Sequence, residues 1–192
     1  MEDAYVLQLS NRKFSELYLC FCGYSKCEPL HSFGPAVRPD YIIHYILKGK
    51  GRYYIEESQY CLEAGQGYMI EPNVLTFYQA DEKDPWEYLW VGFNGSNVKE
   101  YLQDIGLNSG RFIFRSGYAA KLKSVVVDML QNTTSTITNQ YERQSLLYSF
   151  FAILSQNINI SVPRGQDGEN IHIRRAVEFV RNNYFNSIRI TD

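Results

Sequence analysis

The sequence predicts an α+β protein: a small antiparallel β-barrel, or jelly roll, followed by packed α-helices. Three observations carry this. Between Arg38 and Phe93, short runs rich in Tyr, Ile, Val and Phe alternate with Gly-Lys-Gly, Glu-Glu-Ser, Ala-Gly-Gln-Gly and Glu-Pro-Asn. Branched and aromatic residues suit a pleated, half-buried surface, and Gly, Asn and Pro supply the turns between strands. Beyond Phe93 the apolar residues recur at spacings of three and four, the period of a helix. The chain also carries 16 Tyr, 11 Phe and 2 Trp, and tyrosine's broad apolar face with a polar tip fits a barrel with both buried and wet surfaces.

Taken in order, Tyr5 to Leu9 reads as a strand or extended arm, followed by the polar turn SNRK. Glu16 to Tyr24 is a strand with Leu17, Leu19 and Phe21 on one face and Tyr18, Cys20 and Cys22 on the other. A Gly- and Pro-containing loop leads into the strand series. After Phe93, Ser96 is a good N-cap for a short helix that stops near Gly106. A second helix carries Leu122, Val125 or Val126, and Met129. A third, from about Gln140 to Gln156, carries Leu146, Leu147, Phe150, Phe151 and Leu154 as a wide apolar stripe. Ser161 to Asn170 is polar, with Gly and Pro, and reads as a linker. Beyond it Ile173, Val177, Val180 and Tyr184 share one helical face, and the closing Thr191-Asp192 pair commonly opens a helix. The expected divisions are a barrel with its arm over 1–95, a helical region over 96–160, a linker over 161–170 and the start of a further helical domain over 171–192.

The totals exclude several classes. A net charge of −2 offers no broad basic face for nucleic acid. Apolar runs such as SLLYSFFAIL are far shorter than the roughly 20 residues of a membrane helix. No basic segment followed by an apolar one opens the chain, so the expected location is cytoplasmic.

Metal and nucleophilic chemistry lack their residues. A metal-binding barrel of the cupin type uses two histidines at i, i+2, an acid, and a later histidine; here His44 stands alone on its strand, and His31 and His172 are scattered, read as a loop and a surface histidine. Cys20, Cys22, Cys27 and Cys61 do not follow zinc spacing and read as small buried hydrophobes. No G-x-S-x-G elbow, P-loop or dinucleotide fingerprint occurs, so no catalytic residue, metal or cofactor is assigned.

A binding pocket is better supported. Alternation in WEYLWVGF places Trp86, Tyr88 and Trp90 on one strand face, and Ile42, His44 and Ile46 share a face of an earlier strand. Aromatic rings beside one imidazole and one guanidinium match a sugar: rings stack on its C–H faces while Arg38 donates paired hydrogen bonds to adjacent hydroxyls. The same spacing also fits a closed, filled barrel with Arg38 as a surface charge.

The block from about Gly34 to Asn94 resembles the ligand-binding domain of the AraC family of bacterial transcription regulators. The resemblance lies in GPAVRPDYIIHYILKGKGRYYI, in the turn GQGYMIEPN and in the strand EYLWVGF, and the tail IRRAVEFVRNNYFNSIRITD is similar to the first helix of that family's DNA-binding domain and the start of the second. It implies a cupin-like barrel that binds a small effector, usually a sugar, a helical pair that dimerises, and an N-terminal arm able to close over the ligand. Carried over position by position, it implies pocket roles for Arg38, Tyr78 and Trp90. Tyr88 stands where the arabinose sensor has a histidine, and His44 is added on the pocket-facing strand. It further implies a homodimer contact through some of Leu147, Phe150, Phe151 and Leu154, and operator DNA contact only through the domain that 171–192 begins. The expected function is therefore effector sensing and dimerisation, with a sugar or oligosaccharide as effector and no enzyme activity. A cupin enzyme acting on a carbohydrate, with or without metal, and a pure oligomerisation module are the alternatives.

Overall fold

The computed structural model describes residues 3–9 and 13–161; the linker after Ser161 and the expected helices of 171–192 lie outside them. Two antiparallel sheets face each other. The larger has the strand order β1 (Asp3–Gln8), β2 (Tyr18–Lys26), β9 (Glu87–Asn94), β4 (Tyr41–Lys48), β7 (Gln66–Ile70), β10 (Ile113–Arg115) and β11 (Asn159–Ser161). The smaller has the order β3 (Ser32–Val37), β8 (Leu75–Ala80), β5 (Lys50–Ile55) and β6 (Ser58–Glu63). This is a cupin-like jelly roll, whose two sheets bury their inner faces against each other.

Three helices complete the described chain: α1 (Val98–Asp104), α2 (Ala119–Gln131) and α3 (Ile137–Gln156). Strands first and helices afterwards is the predicted order; the differences are local, the first being that the Gly- and Pro-containing stretch expected as a loop holds β3. β10 and β11 lie between and after the helices and extend the larger sheet; runs of three residues are too short to show a period of two. The N-cap of α1 is Asn97 rather than Ser96, and Asn97 makes no side-chain capping bond. α3 starts at Ile137, because Thr136 accepts a hydrogen bond from the Asn139 amide at 3.2 Å and so caps the helix about one turn before the expected start at Gln140.

The helices pack on the β2–β9 side of the larger sheet. α2 touches β1, β2 and β9, and α3 touches β2. Leu147, Phe150 and Leu154 of α3 are fully buried, and Phe151 is 8% exposed, with its ring edge-on to Phe93 at 5.0 Å. These four side chains therefore fill the chain's own core and offer no free surface for a partner subunit. The stripe is covered within the chain because α3 packs against both α2 and β2. Gln144, also buried, donates to the Leu17 carbonyl at 2.8 Å, and Arg143 ties the α2–α3 loop by donating to the carbonyls of Asn132 and Thr134 at 2.6 and 2.7 Å.

One polar cluster joins the barrel to α2. Glu87 of β9 accepts from the Tyr24 hydroxyl at 2.7 Å and from Lys123 of α2 at 3.0 Å, with Lys48 at 3.4 Å. Burial pushes the Glu87 carboxyl up, but the hydrogen bonds from Tyr24 and Lys123 and the two lysine charges outweigh it, leaving the carboxyl below its ordinary value of 4.5. A carboxylate with a depressed folded-state pKa stabilises the fold above its unfolded value and loses that contribution as pH falls through the folded one. Glu87→Gln is therefore expected to lower the thermal midpoint at pH 7 and to narrow its difference from wild type as the pH is taken below about 4.5. Melting curves over a pH series check this, and a difference independent of pH would contradict it.

Candidate functional site

The site is laid out by strand register. β9 lies between β2 and β4, and β7 lies beyond β4. Gly23, Trp90, His44 and Tyr68 are successive cross-strand partners, so they form one row across the larger sheet. Phe21, Gly92, Ile42 and Ile70 form a second row. Residues directly opposite each other in an antiparallel sheet point to the same face. Each row pairs a large ring with a neighbouring glycine. A Cβ on Gly23 would lie 2.1 Å from the Trp90 indole, and one on Gly92 would lie 2.3 Å from the Phe21 ring. These two glycines let the rings lie down against the sheet and leave open space above it.

That space is a cavity of about 430 Å³. Arg38, His44, Tyr78, Tyr88 and Trp90, the five pocket residues named from the sequence, all line it. Tyr78 comes from the smaller sheet and Tyr88 from the larger, and their hydroxyls bridge the two at 3.2 Å. Tyr88 and Trp90 lie with ring centres 5.1 Å apart. Trp86 departs from the expected set: it is fully buried against Tyr68, Tyr78 and Tyr88 and packs the barrel instead of lining the cavity. It precedes β9, and its ring occupies the space over Gly51, whose added Cβ would lie 2.5 Å from it.

Charge in the cavity is sparse. Arg38 follows β3 and places its guanidinium over the Phe33 ring, 4.5 Å from the centroid. His44 is 4% exposed and stacks on Tyr68 at 4.7 Å, nearly parallel. Burial, and then the charge of Arg38, lower its pKa from 6.5 to about 3, so the imidazole is neutral near pH 7. Its Nδ1, with the Tyr53 and Tyr68 hydroxyls and the Trp86 Nε1, is buried without a hydrogen-bond partner among the described residues. Buried polar groups of this kind are satisfied in folded proteins by ordered water or a ligand. Burial raises the Tyr53 and Tyr68 hydroxyls above their ordinary range, so the rings stay uncharged.

Several lining residues were not named from the sequence. Asp40, two positions after Arg38, is 8% exposed and accepts from the Asn94 amide at 2.9 Å. Its place beside Arg38 in R-P-D was the available signal. Phe33 and His31 also line the cavity, although His31 reads as a loop histidine. Ala4, Val6 and Gln8 of β1 complete one side, and nothing in their types marks a ligand contact. Among the described residues no group of three His, Cys, Asp or Glu side chains could hold a metal ion. Cys20, Cys22 and Cys27 are buried and Cys61 is exposed; burial pushes the Cys22 thiol up to about 12, so it is no nucleophile. No helix among the described residues is long and apolar enough to cross a membrane.

Gly23→Ala should displace Trp90 from its seat without adding or removing a polar group. The expected result is a shift in Trp90 side-chain NMR resonances with the strand pairing of β2 and β9 kept. Unmoved indole signals would contradict the packing described.

Comparison with known proteins places this geometry in context. Residues 19–151 match the family described as the AraC-like ligand binding domain. The Msm operon regulatory protein of Streptococcus mutans is 33% identical over 173 residues, covering 88% of this chain and 62% of that protein. The raffinose operon transcriptional regulatory protein RafR of Pediococcus pentosaceus is 26% identical, covering 96% and 68%. The lactose operon transcription activator of Staphylococcus xylosus is 23% identical, covering 94% and 66%. The chain thus spans about two thirds of the length of these curated relatives.

Proposed function

We propose that this chain, which belongs to the AraC-like ligand-binding domain family, senses a sugar or oligosaccharide on behalf of a transcription regulator. One observation carries the reading: Arg38, His44, Tyr78, Tyr88 and Trp90 converge on a single cavity that combines flat aromatic faces with hydrogen-bonding tips. Aromatic rings take up the apolar C–H faces of a saccharide, while guanidinium, imidazole, phenol and carboxylate groups exchange hydrogen bonds with its hydroxyls. Relatives named for raffinose and lactose operons support an oligosaccharide.

The cavity also suits signalling. β1 contributes Ala4, Val6 and Gln8 to its wall and pairs with β2, which α2 and α3 touch. A ligand that contacts β1 and β9 more favourably in one arrangement than another shifts the population between them. In this reading the signal passes through the helical layer to a dimer, and to operator DNA through residues beyond 161. Because Leu147, Phe150, Phe151 and Leu154 are internal, a homodimer contact on α3 falls instead to its exposed face, where Ile137, Tyr141 and Tyr148 are 58%, 55% and 40% exposed.

Isothermal calorimetry with raffinose, lactose, galactose and glucose tests the proposal. Saturable binding by at least one is expected, weakened about tenfold or more in Trp90→Ala through the loss of one stacking face. Absence of binding by all four, or equal binding by the variant, would sink it.

A further inference from the structure

The cavity's charge distribution bears on which carbohydrates fit, a question that rests on the saccharide reading above. Among the described residues, its lining carries one guanidinium, Arg38, one carboxylate, Asp40, and the imidazoles of His31 and His44. Arg38 is already engaged by the Phe33 ring at 4.5 Å. Asp40 is 8% exposed and held by Asn94 at 2.9 Å, so it cannot swing out into bulk solvent without breaking that bond. His44, neutral near pH 7 through burial and the nearby Arg38 charge, adds no positive charge. The remaining polar lining side chains among the described residues are Gln8, Thr76, the two tyrosine hydroxyls and the Trp90 indole N–H, and none of α1, α2 and α3 contributes a residue to the wall.

Phosphate sites are built differently. They gather several Arg or Lys side chains, or the amides of a helix N-terminus, around the phosphoryl oxygens. Here a phosphate dianion would find one cation and, two residues away, a buried carboxylate. Like charges brought together in a desolvated site repel strongly. A sugar hydroxyl meets the opposite situation, because Asp40 accepts from it and Arg38 donates to its neighbour.

We propose that the effector is a non-phosphorylated, uncharged saccharide, and that Asp40 is the residue that selects it, accepting hydrogen bonds from ligand hydroxyls and excluding phosphorylated sugars. The site thereby reads a free sugar in preference to one bearing phosphate. Arg38 and Asp40 act as a donor–acceptor pair across a diol.

The test compares matched compounds on the chain as it stands: glucose, galactose, lactose and raffinose against glucose 6-phosphate, galactose 6-phosphate and lactose 6-phosphate, by thermal shift and calorimetry. A neutral saccharide that binds is expected to do so about a hundredfold more tightly than its phosphate. Asp40→Asn, nearly the same shape, is expected to narrow that ratio about tenfold as the repelling charge is removed, with its melting temperature confirming the fold. A phosphorylated sugar bound as tightly as its neutral partner would overturn the inference while leaving carbohydrate sensing intact. A ratio unchanged in a folded Asp40→Asn would overturn the role of Asp40. No response to any of the seven compounds would remove the sensing proposal itself, and this one with it. The wild-type comparison decides the selectivity even if the variant does not fold.

Discussion

The register of β9 between β2 and β4 is the constraint on which the rest depends. Side chains alternate along a strand, so a slip of one residue would turn Tyr88 and Trp90 away from the cavity and bring Glu87 and Leu89 into it. The pairing is held from both sides: Trp90 opposes Gly23 on one strand and His44 on the other, and Gly92 opposes Phe21 and Ile42. The glycines belong to this constraint. Backbone without side chain at Gly23 and Gly92 lets two aromatic rings lie flat, and the cavity exists because those rings do not stand upright in it.

The same alternation makes β9 a two-sided element. Tyr88 and Trp90 face the cavity. Leu89, Val91 and Phe93 are fully buried on the other side, where Phe93 meets Phe151 of α3. Glu87 binds Tyr24 of β2 and Lys123 of α2, and Tyr24 in turn stacks with Tyr5 of β1 at 6.4 Å. A single strand therefore carries the cavity's aromatic wall, the core beneath the helices and the polar joint to α2. Displacement of β9 by a ligand would be felt by both the helical layer and β1, the physical requirement for a sensor whose output lies elsewhere.

Much of this was legible in the residues. Period-two alternation and turn chemistry marked the strands, and the change of period after Phe93 marked the helices, because both signals persist over five or more residues. His44, Tyr88 and Trp90 were legible as cavity-lining residues because each offered a ring on one face of an alternating strand, whereas Arg38, which lies between β3 and β4, and Tyr78 were reached through the resemblance to the AraC family. Other features were hidden for identifiable reasons. Trp86 shares its parity with Tyr88 and Trp90, and only its tertiary surroundings, the rings of Tyr68, Tyr78 and Tyr88 and the close approach of Gly51, show that it is packed in the barrel. The α3 stripe looked wide enough for a second subunit because sequence does not reveal that α2 and β2 both pack against it. Ala4, Val6 and Gln8 of β1 enter the cavity wall through tertiary closure, which no local pattern records; for Asp40 the only signal was its place beside Arg38.

The central claim is that a saccharide stacks in the cavity against Trp90. The chain has only two tryptophans, and Trp86 is fully buried and does not line the cavity. Tryptophan emission followed during titration with raffinose or lactose therefore reads the claim directly. The account predicts a saturable change that disappears in Trp90→Phe. An unchanged spectrum with a sugar shown to bind, or the same change in Trp90→Phe, would contradict it.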